Sequence, residues 1–226
     1  MKFLYLLCIT VCQAAYWEKN KKDISVGLWN GDIVTIENAF DEPERFDVHD
    51  EVDWVLQYGN KETAEFKRYI HDGGLLRDFQ NELDKYTDFF NDILLTNTSN
   101  DRIRLTKYSD EHYLELHTDH KEGRLLSVIY YNTKDWDASK CGGELLWHGG
   151  KFKMIAPKYN TLVLFIPRQH SYHRIKDLTC NNRYSYAGWL TADKRSKATE
   201  MLYQLLLSRE KSNVMGRQIR LFNRLA

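Results

Sequence analysis

Proline is scarce in this chain: Pro43, Pro157 and Pro167 are the only three in 226 residues. With no internal repeat and no low-complexity tract, that excludes fibrous, repeat and Pro-rich linker architectures. Charge of one sign is missing as well. Thirty-two Lys and Arg balance 32 Asp and Glu, and the pI is near 7.1. Nothing global therefore points to nucleic acid or to an acidic partner. Cysteine is rare, with four residues, too few for a disulfide-built scaffold. No segment beyond the first 15 residues is apolar enough to cross a bilayer. What remains is an ordinary globular composition, 42% hydrophobic and 28% charged, sized for one core with a small helical appendage.

The first residues stand apart. Met1-Lys2 supplies a positive start, Phe3–Cys12 is an almost unbroken apolar run, and Ala14-Ala15 offers small residues for cleavage. This is the layout of a signal peptide over residues 1–15, and the run is too short for a bilayer core of about 30 Å. An apolar edge strand or a membrane-surface helix is the other reading. Removal of the leader takes Cys8 and Cys12 and leaves Cys141 and Cys180, which form either a pair or two separate thiols. A secretory location, in the endoplasmic reticulum lumen or outside the cell, gives meaning to the sequon Asn97-Thr98-Ser99. The chain carries no retention signal at its end.

Residues 16–226 divide into three zones of one domain. Residues 16–100 hold a β-branched run, Ile33–Ile36, then a helix entrance at Asp41-Glu42-Pro43-Glu44, then a helical stretch over 62–95. In that stretch Leu75, Leu76, Phe79, Leu83, Tyr86, Phe89, Phe90, Ile93 and Leu94 recur near a 3.6 period. Residues 101–192 change to short β runs: Ile103–Tyr108, Tyr113–His117, Leu125–Tyr131, Gly143–Trp147, Thr161–Ile166, Ser171–Ile175 and Arg183–Leu190. Many short strands at close spacing predict a sandwich or barrel. Residues 193–226 return to helix and end in a basic tail with Arg217, Arg220 and Arg224, read as a solvated surface rather than a nucleic-acid site.

The chemistry lies in the β-rich zone. His117-Thr118-Asp119 closes a strand-like run, and residues i and i+2 of an extended chain share a face. One imidazole and one carboxylate thus point the same way. His173, 56 residues on, supplies a second imidazole from another β run. Two imidazoles and one carboxylate occupy one face of an octahedron and leave the other open, the ligand set of non-haem Fe(II) oxygenases. Alone, an HxD triplet among eight His and 32 acids is weak. Its weight comes from Arg183, ten residues after His173, whose planar guanidinium can grip a carboxylate through two parallel hydrogen bonds. Ser185, two residues further, faces the same way and could add a third.

These residues resemble the catalytic domain of the 2-oxoglutarate/Fe(II) oxygenases, and within it the prolyl hydroxylase superfamily, which holds the collagen, hypoxia-factor and yeast-type ribosomal prolyl hydroxylases. The run Gly123–Asp137 followed by Gly142-Gly143-Glu144-Leu145 is similar to the hypoxia-factor enzymes, and Pro157–Phe165 resembles the strand leading to the distal histidine. The resemblance implies a mostly β fold, a double-stranded β-helix (jelly roll) with N-terminal supporting helices and a C-terminal helix. It implies Fe(II) held by His117, Asp119 and His173. It implies 2-oxoglutarate held by Arg183, with Tyr131 as the match to the second Tyr of the family's pair and Tyr108 in the cleft, and Ser185 beside them. O2 is the further co-substrate, and ascorbate accompanies the set. The implied reaction hydroxylates a substrate C–H bond while 2-oxoglutarate becomes succinate and CO2, with peptidyl proline as target in the manner of a procollagen-proline 4-dioxygenase. Glu111, where the family often has a small turn residue, and Asn132-Thr133, in place of Leu-Asn, depart from the pattern without touching a ligand position.

His170, three residues before His173, is the rival distal ligand. The step to Arg183 favours His173. His120 reads as a loop histidine or a neighbour of the ligands, and His112 and His148 as structural or surface residues. The expected partner is a peptide or protein, with no nucleic acid and no integral membrane segment after leader removal. Two other readings stand beside this one: an oxygenase acting on a free amino acid, lysine or small molecule, and a non-catalytic jelly-roll binding protein with a structural metal. Asp119 argues against a halogenase, in which a missing carboxylate leaves room for halide.

Overall fold

The run Leu125–Tyr131 is apolar on both of its faces because the strand that contains it is buried on both. In the structure, a computed structural model describing residues 2–48, 52–59 and 66–225 (side chains over 16–48, 52–59 and 66–212), β6 (Arg124–Tyr131) lies in the middle of the larger of two sheets. Its partners are β9 (Thr161–Phe165) on one side and β11 (Arg183–Thr191) on the other. The sheet continues outward through β1 (Val34–Glu37) beyond β9, and through β4 (Arg104–Tyr108), β3 (Phe66–His71) and β2 (Val55–Tyr58) beyond β11. The short β5 (Tyr113–Leu114) also pairs with β3. A three-stranded sheet, ordered β10 (His173–Ile175), β7 (Leu145–Trp147) and β8 (Lys153–Ile155), faces it. Every pairing is antiparallel. This is the jelly roll implied by the sequence.

Strand alternation sorts side chains into two compartments. Leu126, Val128 and Tyr130 of β6, Leu162 and Leu164 of β9, Leu105 of β4 and Tyr186 and Leu190 of β11 face the helices. There they meet α1 (Lys2–Trp29) through Trp17, Ile24 and Leu28. α2 (Gly74–Asp84) contributes Leu76, Phe79 and Leu83, and α3 (Thr87–Leu94) contributes Phe89, Phe90, Ile93 and Leu94. α5 (Lys197–Leu225) closes this side with Tyr203 and Leu206. The opposite faces of the same strands, with Tyr131, Val163 and Phe165, look toward Leu145 and Trp147 of the small sheet. The functional side chains lie in this second space.

The segment 62–95 is not wholly helical. Residues 62–65 lie outside the described residues, and Phe66–His71 is a strand registered on both β2 and β4. Gly73 and Gly74 separate it from the helical stripe, which starts at α2 as the periodicity predicts. The helix entrance at Asp41–Glu44 yields a single 3-10 turn, Pro43–Phe46, which stops because Asp47 is extended (φ −62, ψ 134). The Tyr113–His117 strand is shorter than expected, since only Tyr113–Leu114 pairs as a strand. α1 was not legible as a helix, because residues 16–29 bury only Trp17, Ile24 and Leu28. The expected leader, residues 1–15, lies outside the residues whose side chains are described, as do Arg217, Arg220 and Arg224. Among the described residues no helix is long and apolar enough to cross a membrane.

Cys141 and Cys180 form a disulfide, with Cα atoms 5.0 Å apart. It ties α4 (Ala138–Cys141) to the turn before β11, next to a backbone bridge between Gly142 and Leu178. Gly142 has φ +67, and a Cβ there would stand 2.0 Å from the Asp177 carbonyl oxygen, so only glycine fits. Closing a loop over a separation of 39 residues stabilises by about 4 kcal/mol. Cys141→Ser, or reduction of the parent protein, is therefore expected to lower unfolding free energy by roughly that amount in denaturant titrations. Equal unfolding midpoints with and without reductant would contradict this.

Candidate active site

His117 and His173 come from segments far apart in sequence, and the backbone itself joins them. His117 N–H donates to His173 O at 3.0 Å, and His173 N–H donates to His117 O at 2.9 Å. This bridge places the two imidazole rings 4.3 Å apart between centroids. Each ring engages its Nδ1 with a carbonyl two residues back, His117 with Glu115 O at 2.8 Å and His173 with Ser171 O at 2.9 Å. With Nδ1–H donating, both Nε2 lone pairs are free and aimed inward. Asp119 completes the cluster: its Oδ1 lies 3.5 Å from His117 Nε2 and its Oδ2 3.7 Å from His173 Nε2. One ligand atom from each of the three residues lies within 4.8 Å of the other two.

The electrostatics suit a cation. Burial pushes the His173 imidazole down to about 4, against the pull of the Asp119 carboxylate, so its nitrogen stays unprotonated at neutral pH. Burial alone would raise Asp119, but His173, His117 and the Ser127 hydroxyl together hold it below the usual carboxylate range. Ser127 Oγ donates to Asp119 Oδ2 at 2.7 Å, a contact that sequence reasoning missed. Ser127 lies on the site-facing side of β6 with Tyr131, so strand parity was the available signal. Loss of a hydrogen bond that orients a metal-bound carboxylate typically costs about 10–100-fold in metal affinity, and Ser127→Ala is expected to show it in calorimetric Mn(II) titrations. An unchanged Mn(II) affinity would show that the hydroxyl does not orient Asp119.

Arg183 sits at the other end of the inter-sheet space, 1% exposed. Its guanidinium carbon lies 4.9 Å from the Tyr131 ring centre and 5.4 Å from that of Tyr108, its register partner on β4. Gly143 leaves room for it, since a Cβ there would stand 2.9 Å from Arg183 Cδ. Arg183 Nε and Nη1, Tyr131 OH and Thr161 Oγ1 are all buried without a hydrogen-bond partner. Buried polar atoms are rarely left so, and a cluster of donors around one guanidinium fits an absent carboxylate. Thr161 was not anticipated; it is the direct cross-strand neighbour of Tyr131, which in turn pairs with Ser185. Aromatic rings connect the two ends, with Phe165 4.8 Å and Trp147 6.3 Å from the His173 ring.

Ser185 shares the face of Arg183. Thr106 Oγ1 donates to Ser185 O at 2.8 Å and lies 2.9 Å from Ser185 Oγ. The rival His170 is half exposed beside Glu210 and away from the cluster. His120 bonds Tyr203 OH of α5 through Nδ1 at 3.0 Å, so it anchors the ligand loop to the helix.

Residues 103–191 match the family described as the 2OG-Fe(II) oxygenase superfamily. Egl nine homolog 1 from Rattus norvegicus is 36% identical over 81 residues, covering 34% of this chain and 24% of that protein. The human protein gives the same identity over 19% of its length, so the match spans a quarter or less of these relatives. Among solved structures, a Trichoplax adhaerens prolyl hydroxylase in complex with a hypoxia inducible factor oxygen degradation domain peptide fragment superposes with a TM-score of 0.60. It shares 17% identity over 78% of this chain and 92% of its own. A Pseudomonas putida prolyl-4-hydroxylase gives a TM-score of 0.57 at 15% identity, over 77% of this chain and all of its own. The β-rich zone of this chain, whose inter-sheet space joins a His-Asp-His cluster to a buried arginine, is thus similar over residues 103–191 to the 2OG-Fe(II) oxygenase superfamily and shares the fold of the prolyl hydroxylase structures.

Proposed function

We propose that this chain is an Fe(II)- and 2-oxoglutarate-dependent dioxygenase that hydroxylates peptidyl proline in the secretory pathway. The observation that carries the reading is the pairing of a two-imidazole, one-carboxylate cluster with a buried arginine whose donors the protein leaves unused. When bound, Fe(II), 2-oxoglutarate and O2 supply the oxidising chemistry, with succinate and CO2 as the co-products. The chain's own residues hold and orient. His117, Asp119 and His173 would hold the ion, their tautomers and rotamers fixed by the Glu115 and Ser171 carbonyls and by Ser127. Arg183, Tyr131 and Thr161 would take the far carboxylate of the keto acid, with Tyr108 beside the guanidinium. Trp147 and Phe165, both fully buried, keep water from the space between.

Proline as the target is supported by the prolyl hydroxylase names among the relatives of similar fold. The secretory location is supported by the leader-like residues 1–15, by the Cys141–Cys180 disulfide and by the exposed, loop-borne Asn97 of the sequon. Ascorbate is proposed as an accessory to turnover. Incubation of proline peptides with the protein, Fe(II), ascorbate and 2-oxoglutarate should yield peptide heavier by one oxygen atom, placed on proline by fragmentation mass spectrometry. Oxygen found only on lysine, or only on a free amino acid, would replace this substrate assignment.

A further inference from the structure

We infer that the cleft above the His-Asp-His cluster selects an extended acidic peptide, seating carboxylate side chains on Arg68 and Arg124; the inference rests on the oxygenase reading above. The chain as a whole balances its charges. The cleft does not. A cavity of about 190 Å3 reaches the ligand residues, and its walls carry Arg68, Arg102, Arg104 and Arg124 against a single acid, Asp119. Asp119 is committed to the cluster. Arg104 meets Asp72 at 3.1 Å and Arg102 meets Asp101 at 3.8 Å. Arg68 and Arg124 have no carboxylate side-chain partner within ion-pair distance among the described residues.

Both are nevertheless held in place. Arg68 gives Nε and Nη2 to the neutral Gln57 Oε1, each at 3.2 Å, and lies 4.7 Å from the Phe66 ring centre. Arg124 gives Nη1 to the Asp119 backbone oxygen at 3.1 Å, with its guanidinium carbon 3.3 Å from the Trp189 ring centre. Stacking and a neutral acceptor fix the plane of a guanidinium without neutralising it, the preparation that a bidentate carboxylate needs. Trp189 adds a buried indole N–H with no acceptor among the described residues.

Spacing decides between a peptide and a small acid. Arg68 is on β3 and Arg124 opens β6, with β4 and β11 between them. Three inter-strand steps of ~4.8 Å separate the two strands by about 14 Å. The register adds an offset along them: Tyr69, next to Arg68, is level through Lys107 with Tyr184, whereas Arg124 is level with Thr191, so the two backbone positions lie farther apart than roughly four residues of extended chain can reach. One amino acid cannot reach both. Single-stranded nucleic acid also offers anions, but a chain that is neutral as a whole carries net negative charge outside this basic cleft, which gives nucleic acid no track to follow.

Fluorescence polarisation tests the inference, using short labelled peptides with a central proline flanked by Asp and Glu, by Asn and Gln, or by Lys. Binding is read without turnover, with and without Mn(II) and 2-oxoglutarate. The acidic peptide is expected to bind at least about tenfold tighter than its amide twin, and added salt should shrink that gap. Arg68→Gln and Arg124→Gln should each remove most of the difference while leaving the amide peptide's affinity unchanged, which a merely structural role would not do. Equal binding of acidic and amide peptides, or no binding, overturns the inference. So does preference for the Lys peptide or for a labelled oligonucleotide, or free glutamate competing as well as the peptide. Calorimetry of Mn(II) and 2-oxoglutarate uptake separates the two claims. Acidic discrimination without 2-oxoglutarate uptake supports the charge selection and removes the oxygenase reading; uptake without discrimination does the reverse.

Discussion

Arg183→Met is expected to weaken 2-oxoglutarate binding severely and to leave the fold as stable as the parent, or more so. The side chain is buried, stacked between Tyr108 and Tyr131, and two of its donors have no partner. Removing one partner of a buried charge pair costs about 2–5 kcal/mol, so affinity for the keto acid should fall by ~30-fold to several thousandfold. Stability should move the other way. A buried, unsatisfied polar group costs about 1–3 kcal/mol, and methionine fills the same slot without that cost. Arg183→Lys keeps the charge and loses the planar fork, and should retain only part of the affinity. Calorimetric titration and thermal unfolding of the same samples read both effects. A variant that binds 2-oxoglutarate normally, or one that unfolds with its affinity intact, would show that Arg183 serves packing alone.

His117→Ala and Asp119→Ala are each expected to take Fe(II)-dependent conversion of 2-oxoglutarate to succinate below detection. The loss should exceed the roughly 10–100-fold expected for Ser127→Ala, which removes only an orienting contact. The two variants should differ in the apoprotein. His117→Ala leaves the Asp119 carboxylate with His173 and Ser127. Asp119→Ala leaves two imidazole rings 4.3 Å apart with no carboxylate beside them. Both should keep the parent's far-ultraviolet spectrum, since the His117–His173 bridge runs through backbone atoms. Full succinate release by either variant would remove the metal site from the account.

The legible parts of the sequence were those whose pattern is local. β4, β6, β9 and β11 were marked by β-branched and aromatic runs, α2 and α3 by a 3.6 period, and the ligand set by His-x-Asp, a distal His and a ten-residue step to Arg. Hidden parts depended on pairing across the fold. Phe66–His71 is a strand because β2 and β4 flank it, and nothing in its own residues demands that. Residues 16–29 show three buried positions at wide spacing, too sparse to mark the helix they form. Ser127 and Thr161 become site residues only once β6 and β9 are in register. The i, i+2 rule assigned the face of Ser185 but not its neighbour there, Thr106. Cys141 and Cys180 could not be paired without a distance. Arg68 and Arg124 were ordinary charged residues until the fold set them on either side of one cleft.

Crystallography of the protein with Mn(II) and 2-oxoglutarate tests the central claim most directly. The account predicts one ion bound by His117 Nε2, the Asp119 carboxylate and His173 Nε2, with the keto acid's far carboxylate on Arg183. An ion bound elsewhere, or a keto acid whose carboxylate turns away from Arg183, would contradict it.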